Sequence, residues 1–430
     1  MKNLNKRLYS NDFLMKLHVK SKDPKHLPDK IINDLGYKIS DLSNIREKQN
    51  TLEEFRNLHP PEICIWQCKK TYNLSFKDGY SCKIKNKQCY TTDLLTFIDL
   101  YHKGFAKPTN KFLKNYKLYK GEDLTNKKIL CWLYGGGMGD ILFVQPILYY
   151  LKKIYPSCHI TFAVPDRSHS MVKNWKFNKI ISTPFHEKYF LQVDYHINFD
   201  GIINKCKEAE KVNIYKLLAK WINTNIPIEE LVPKQNPDTS KVFKWSHIIE
   251  DNNIPHNFMI LQLKTNTVLR TPRDDFWINL TNKLIEKDIP IVFTDRSDEY
   301  THIEEIKSKT NKPEMIFNVC KHSKDIGDAI ALLSHSTMIT SVDTGLIHIG
   351  ASLDKPCFGI YGPFSGKIRL ETYPKTYWID AQCECAPCYI HGYTLCDNAI
   401  DNAPKCYDTI DINDLANKIN ILWKEAIKLA

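Results

Sequence analysis

Two segments of the 430-residue chain hold the residue types from which chemistry could be built. LYGGGMGDILFVQP, Leu133–Pro146, runs from an apolar strand through glycines into a helix start. Its turn could aim backbone N–H groups of Gly137 and Gly139 at an anion, and it ends on Asp140. A carboxylate at a helix N-terminus has its pKa held down by the dipole and amides, so Asp140 reads equally as an anionic general base and as a helix cap. The run is neither a Walker A loop, because no Lys-Ser/Thr follows, nor G-x-G-x-x-G, because Asp140 stands at the third glycine. A tight turn that merely joins strand to helix is the plainer reading.

About 200 residues on, SVDTGLIHIGASLDKPCFGIYGP, Ser341–Pro363, repeats the logic. Asp343 ends a strand, Thr344 and Gly345 open a helix, and His348 lies one turn beyond Thr344 on the same side. The Thr344 and Gly345 amides with the Thr344 hydroxyl could bind a diphosphate, and Asp343 could accept hydrogen bonds from sugar hydroxyls. The alternative is a capped helix with a buried histidine.

Cysteine is the third resource. Nine of the fourteen fall in two clusters, Cys64, Cys68, Cys82 and Cys89, and Cys383, Cys385, Cys388, Cys396 and Cys406. The second array, C-x-C-x₂-C-x₇-C-x₉-C, suits a structural zinc or iron site on Cys385, Cys388, Cys396 and Cys406, with Cys383 or His391 as alternatives. The first matches no nameable site, and strand alternation explains it as well. Cys131, Cys158, Cys206, Cys320 and Cys357 read as core residues.

The elements that must position these residues emerge from Lys128 onward. Apolar runs Lys128–Tyr134, His159–Val164, Lys179–Ser182 and Tyr195–Phe199 alternate with helical stretches such as Ile141–Lys153. A proline-containing linker, Leu231–Ser240, follows. The alternation then restarts, with strands at Phe258–Leu263, Pro290–Thr294, Met315–Val319, Thr337–Val342 and Cys357–Tyr361. Helices fall at Asp274–Glu286, Tyr300–Lys309, Asp325–Ser334 and Leu346–Leu353, and an amphipathic one at Ile412–Leu429 closes the chain. This order predicts α/β architecture: two doubly wound domains, residues 128–235 and 241–430, facing a cleft. Residues 1–127 fit neither pattern and form an accessory region, with helix expected at Leu4–Val19 and Asp41–Asn57 and short strands over Cys64–Tyr90.

Charge is uneven. Residues 1–128 hold 26 Lys+Arg against 14 Asp+Glu, whereas the remainder holds 34 against 35. A basic N-terminal third suits a solvated surface, anionic lipid or an acidic acceptor. KFLKNYKLYK, Lys111–Lys120, interleaves aromatics with lysine, but no nucleic-acid-binding motif accompanies it and no nucleic-acid partner is expected. No apolar run approaches a membrane span, and the first 30 residues lack a signal peptide's apolar core, so the expected location is cytoplasmic, with peripheral contact at the inner membrane face as an option.

Together the strand and GGGMGD, Pro146 in the following helix, LKKIYPSCHITFAV, and VDTGLIHIGASLDKPCFGIYGP resemble the glycosyltransferase family 9 heptosyltransferases, including the branch that glycosylates bacterial autotransporters. The likeness covers Lys128–Trp423. It implies a GT-B fold and inverting transfer of a heptose-like sugar from a nucleotide-diphosphate donor to a cell-surface glycan, lipopolysaccharide or protein hydroxyl, without a catalytic metal. It further implies Asp140 as base, Thr344 and Gly345 as phosphate binders, and Asp343 near the donor sugar. A basic residue that holds the diphosphate is matched by Arg270, with Thr265 close by. The family's ribose-binding acidic residue finds only Asp298 and Glu299 here, in TDRSDEY where a glycine-rich turn is usual. The autotransporter branch is associated with an iron-binding cysteine motif of different spacing. A rival reading is a nucleotide-sugar-binding or assembly protein that keeps the fold without turnover, and self-association is open.

Overall fold

The protein was analysed as a computed structural model, which describes residues 30, 31, 34, 49–58, 63–75, 81–111, 115–135, 137–265, 267–389, 396, 398–400 and 403–429. The helix expected at Leu4–Val19 and the alternative ligand His391 lie outside the described residues. Of the stretch 41–57, the structure describes a helix only at α1 (Leu52–Leu58).

The chain forms two compact units. The first holds the described residues up to 135, with 147–211 and 216–226; the second holds 137–146, 212–215 and 227 onward.

In the first unit the N-terminal region supplies β1 (Ile63–Cys68), a hairpin of β2 (Tyr72–Ser75) and β3 (Ser81–Ile84), β4 (Cys89–Asp93), α2 (Leu94–His102) and β5 (Ala106–Pro108). Then follow β6 (Lys128–Trp132), α3 (Met138–Ile154), β7 (His159–Pro165), β8 (Lys179–Thr183), β9 (Phe185–His186) and β10 (Tyr195–Asn198). Strands β10-β6-β7-β8 make a parallel sheet, and β5-β1-β4-β9 an antiparallel one. Alternation along β1 joins them: Cys64, Trp66 and Cys68 enter one core with Phe97 and Ile98, while Ile65 enters another with Leu130, Trp132 and Phe190. The break expected at residue 127 therefore does not separate compact units, since β9 and the β6 side chains complete the N-terminal sheet and its core. The same alternation puts Cys64 and Cys68 in one core and Cys89 in the other, so these thiols do not converge.

The second unit restarts with α4 (Thr239–Asp251), capped by Asp238, whose carboxylate accepts from the Ser240 N–H. The linker ends there, two residues earlier than expected. Next come β11 (Met259–Gln262), α5 (Asp274–Ile285), β12 (Ile291–Phe293), α6 (Tyr300–Ser308), β13 (Ile316–Asn318), α7 (Ile326–His335), β14 (Met338–Val342), α8 (Gly345–Ser352), β15 (Cys357–Tyr361), α9 (Gly366–Leu370), β16 (Thr376–Asp380) and α10 (Ile412–Leu429). The six strands are parallel in the order β13-β12-β11-β14-β15-β16. This is the doubly wound dinucleotide-fold order, and its direction reverses between β11 and β14, where such sheets open a crevice at their carboxyl ends. Sequence reading missed β16 because TYWID is an edge strand in which only Thr376 is buried, so it lacks the apolar run of an inner strand.

The main core of this unit joins Phe276, Trp277, Leu280 and Leu284 of α5 to Leu415, Ile419, Leu422 and Trp423 of α10. Trp277 is 1% exposed. Trp277→Ala is expected to cost roughly 3–5 kcal/mol, from lost apolar burial plus a cavity. Urea unfolding followed by tryptophan fluorescence checks this, and a loss under about 1 kcal/mol would remove Trp277 from the core.

Candidate active site

The crevice position of the second unit is braced from both sides. Gln262, last residue of β11, is 7% exposed, and its Oε1 accepts from Ser341 Oγ at 3.0 Å and Thr344 Oγ1 at 2.5 Å. Thr344 in turn caps α8 by accepting from the Leu346 N–H at 3.2 Å. The Thr344 hydroxyl is thus engaged within the fold, leaving the backbone at the helix start as the anion-facing part. Sequence reading passed over Gln262; its signal was a polar residue closing an all-apolar strand. After β11 the chain turns through Thr265, whose hydroxyl donates to the Thr267 carbonyl at 2.7 Å, to Arg270. Arg270 Nη1 donates to the Asp343 carbonyl at 2.9 Å and approaches Asp343 Oδ2 at 3.3 Å. Among the described residues Arg270 makes no salt bridge to the nearby Asp274 or Asp275; Asp275 pairs with Arg273, and Asp274 with His302.

The start of α3 belongs to the same unit. A Cβ on Gly345 would stand 2.9 Å from Met138 Cβ and 3.2 Å from the Gly139 nitrogen, so only glycine lets the two turns meet this closely. Gly139 in turn lies against the His348 ring, 3.2 Å from where its own Cβ would be. His348 is 3% exposed, lies edge-on to Phe143 and hydrogen-bonds Tyr373 Oη through Nδ1 at 3.2 Å. Burial, reinforced by the nearby arginines, lowers its pKa to about 3, so it is a neutral support beneath the turn.

Asp140 comes to this place, but its electrostatics reverse the sequence expectation. Burial is the largest influence and raises its pKa. The Gly137 N–H, bonded to Oδ2 at 2.5 Å, and the Arg369 and Arg270 charges only partly offset this, while Asp343 adds to it. Asp343 goes the other way: burial opposes ionisation, yet Arg369 and Arg270 outweigh it and hold its pKa below the ordinary value. The amides of the first turn are also taken. Gly137 serves Asp140, and in the first unit Tyr134 and Gly135 donate to Asp200 at 2.7 and 2.9 Å.

The ribose candidates are engaged elsewhere. Asp298 is exposed and paired with Arg296, and Glu299 bridges Lys264 at 2.7 Å and Arg296 at 3.2 Å. The carboxylate after β12 is the partly buried Asp295, whose buried Oδ2 has no hydrogen-bond partner among the described residues and whose pKa desolvation raises to about 6.

The cysteine array does not assemble as expected. Among the described residues no group of three or more His, Cys, Asp or Glu is arranged to hold a metal. Cys385 and Cys388 are exposed, whereas Cys406 is 6% exposed in the α5–α10 core. The thiol contact that forms is Cys383 with Cys385, at 3.4 Å.

Residues 249–390 match glycosyltransferase family 9 (heptosyltransferase). That stretch is about a third of the chain and lies within the second unit. Its structure is similar to a family 9 glycosyl transferase from Veillonella parvula, at 12% identity and TM-score 0.56, covering 71% of this chain and 99% of that one. It is also similar to E. coli ADP-heptose lps heptosyltransferase II, at 17% identity and TM-score 0.53, covering 69% and 99%. No curated protein sequence matches the chain. The fold is thus of GT-B type, as the resemblance implied, and among the described residues no helix is long and apolar enough to cross a membrane.

The Asp140 shift carries a stability consequence. A carboxyl whose folded pKa is raised favours the folded state while protonated, below its unfolded pKa, and that advantage is lost as pH rises through the folded value. Near pH 7 the ionised Asp140 therefore costs stability. Asp140→Asn is expected to keep or raise the thermal midpoint at pH 7, with the difference from wild type vanishing toward pH 4. A midpoint lowered at pH 7 would show that the carboxylate supports the fold.

Proposed function

We propose that this glycosyltransferase moves a heptose-like sugar from a nucleotide-diphosphate donor to a hydroxyl with inversion, and that Asp140 is the base. The observation that carries the reading is the gathering of Asp140, Arg270, Asp343 and the start of α8 at the reversal point of the six-stranded sheet. In the step, the acceptor oxygen bonds to the anomeric carbon and its proton passes to Asp140. The bond from that carbon to the donor's phosphate oxygen breaks, and the electron pair leaves with the nucleoside diphosphate. A base at this point is worth roughly 10²- to 10⁴-fold. The charge that develops on the diphosphate meets Arg270 and the Thr344 and Gly345 amides. Asp343, held ionised, is suited to accept from the donor sugar's hydroxyls. Gly137 and Gly139 bring the base to the donor, Thr265 shapes the loop before Arg270, and His348 supports the turn from below. Asp298 or Glu299 would take the ribose by exchanging an ion pair for its hydroxyls.

The acceptor side falls to a cell-surface glycan, lipopolysaccharide or protein hydroxyl. The basic N-terminal third is assigned to acceptor choice, anionic-lipid contact or self-association. Cytoplasmic location suits the abundant free thiols.

For the cysteine loop we propose a structural zinc or iron on Cys385, Cys388, Cys396 and Cys406, with Cys383 as the alternative ligand. The Cys383–Cys385 separation of 3.4 Å is near the roughly 3.8 Å edge of a tetrahedron with metal–sulfur bonds of about 2.3 Å. Such a metal would brace the loop and take no part in transfer. Elemental analysis of purified protein is expected to give one metal per chain, abolished in the double variant Cys385→Ser, Cys388→Ser; metal-free wild type would dismiss the site.

Calorimetry and thermal shift against nucleoside diphosphates test the donor reading. Ligand at 100 times its Kd should add about 2.7 kcal/mol of stability. Asp140→Ala is expected to lose at least ~10²-fold in transfer while its donor affinity stays within about threefold. The wild-type kcat/KM profile should fall on the acid side at a pH above the ordinary aspartate value of about 3.9. Normal turnover in Asp140→Ala would remove this residue from the mechanism.

A further inference from the structure

Arg369 lies in α9, the short helix after β15, and is 8% exposed. A guanidinium keeps its charge at any pH at which proteins fold, so burying one ordinarily requires carboxylate or carbonyl partners. Among the described residues Arg369 has neither an ion pair nor a side-chain hydrogen bond; its Cζ lies over the Phe364 ring, 5.0 Å from the centroid. Arg270, by comparison, has Nη1 committed to Asp343.

The unpaired group is held firmly. The Gly366 N–H donates to Asp380 Oδ1 at 2.7 Å, and Ser365 Oγ approaches Oδ2 at 3.4 Å. Asn213 Nδ2 donates to the Ile368 carbonyl at 3.1 Å. A Cβ on Gly366 would fall 2.5 Å from the Trp378 ring, so glycine lets the helix start sit directly on β16. Strand β15 is the sheet neighbour of β14, with Ser341 opposite Gly359 and Val342 opposite Ile360, so α9 follows the same carboxyl edge from which Asp343 and α8 emerge. Its charge reaches that site: Arg369 favours the ionised form of both Asp140 and Asp343, alongside Arg270, which also bonds Asp343 directly.

We propose that Arg369 is a second diphosphate-binding cation, kept without a protein partner so that its donors take the β-phosphate of the donor, the phosphate that carries the departing charge. This rests on the donor reading above. A bidentate guanidinium matches phosphate geometry, and a water-poor setting strengthens the contact. Sequence inspection could not single out Arg369, because an arginine in GKIRL on a short helix reads as surface charge.

The test is calorimetry of wild type, Arg270→Ala, Arg369→Gln and Arg369→Lys with ADP, GDP, UDP and CDP, followed by the monophosphate of whichever nucleoside binds. Arg369→Gln is expected to weaken the diphosphate at least tenfold and the monophosphate less than twofold, with partial recovery in Arg369→Lys. Its thermal midpoint should not fall, because the substitution removes a buried charge that no partner compensates. Unchanged diphosphate affinity in Arg369→Gln, or equal loss for mono- and diphosphate, overturns the proposal. If Arg369→Gln does not fold, Arg369→Lys decides, since its compact ammonium cannot reproduce the fork and wild-type affinity there would also overturn it. Absence of any nucleotide binding by wild type removes the donor reading and this inference together, whereas binding lost in Arg270→Ala and retained in Arg369→Gln removes this inference alone.

Discussion

The site depends on a charge balance at one edge of one sheet: two carboxylates, Asp140 and Asp343, in the field of two guanidinium groups, Arg270 and Arg369. Both acids pay for burial, but only Asp343 has an arginine at contact distance. One acid therefore falls below the ordinary carboxylate range and the other rises above it. Divergent environments of this kind are how two like residues acquire different tasks, one a fixed anion and the other a proton acceptor. Bringing Arg270 to bond Asp140 instead would hold that carboxylate ionised and weaken it as a base.

That balance requires the backbones to approach closely. The turn before α3 and the turn before α8 come together only because residues 139 and 345 lack side chains, and a methyl at 345 would overlap Met138. Beneath them, His348 bonds Tyr373, which bonds Tyr215 at 2.6 Å, and all three are buried. A neutral imidazole in this chain adds no charge that would compete with the arginines, so the polar support holds the turn without altering the field at the carboxylates.

The strands and helices from Lys128 onward were legible because buried parallel strands are near-continuous apolar runs and their helices carry a 3.6-residue period. The edge strand β16 was not, since an edge strand mixes polar with apolar residues, and in the N-terminal region the short strands over Cys64–Tyr90 were legible but their sheet was not, because β1 feeds two cores at once. At the site, Asp140, Asp343 and Gly345 could be named from their positions after strands, and Arg270 from the family resemblance. Gln262, Asp295 and Arg369 could not, because what distinguishes them is an environment: a hydrogen bond across the sheet, an unpartnered buried oxygen, a guanidinium without a protein partner. The pKa direction of Asp140 was misjudged for the same reason, since a helix N-terminus is visible in sequence and burial is not.

The two glycine turns look alike as sequence and differ in physics. In the first, the Tyr134 and Gly135 amides are held by Asp200 and the Gly137 amide by Asp140. An anion arriving there would have to displace carboxylates that the fold has already seated, so this turn is built to present a carboxylate. In the second, the cap hydroxyl of Thr344 is turned inward onto Gln262 and Ser341, while two cations stand near the helix start. Positive field and a capped helix start favour a bound anion at that turn. In the proposed reaction one turn would contribute the base and the other the seat for the leaving group, an asymmetry set by which carboxylates fold back onto which amides.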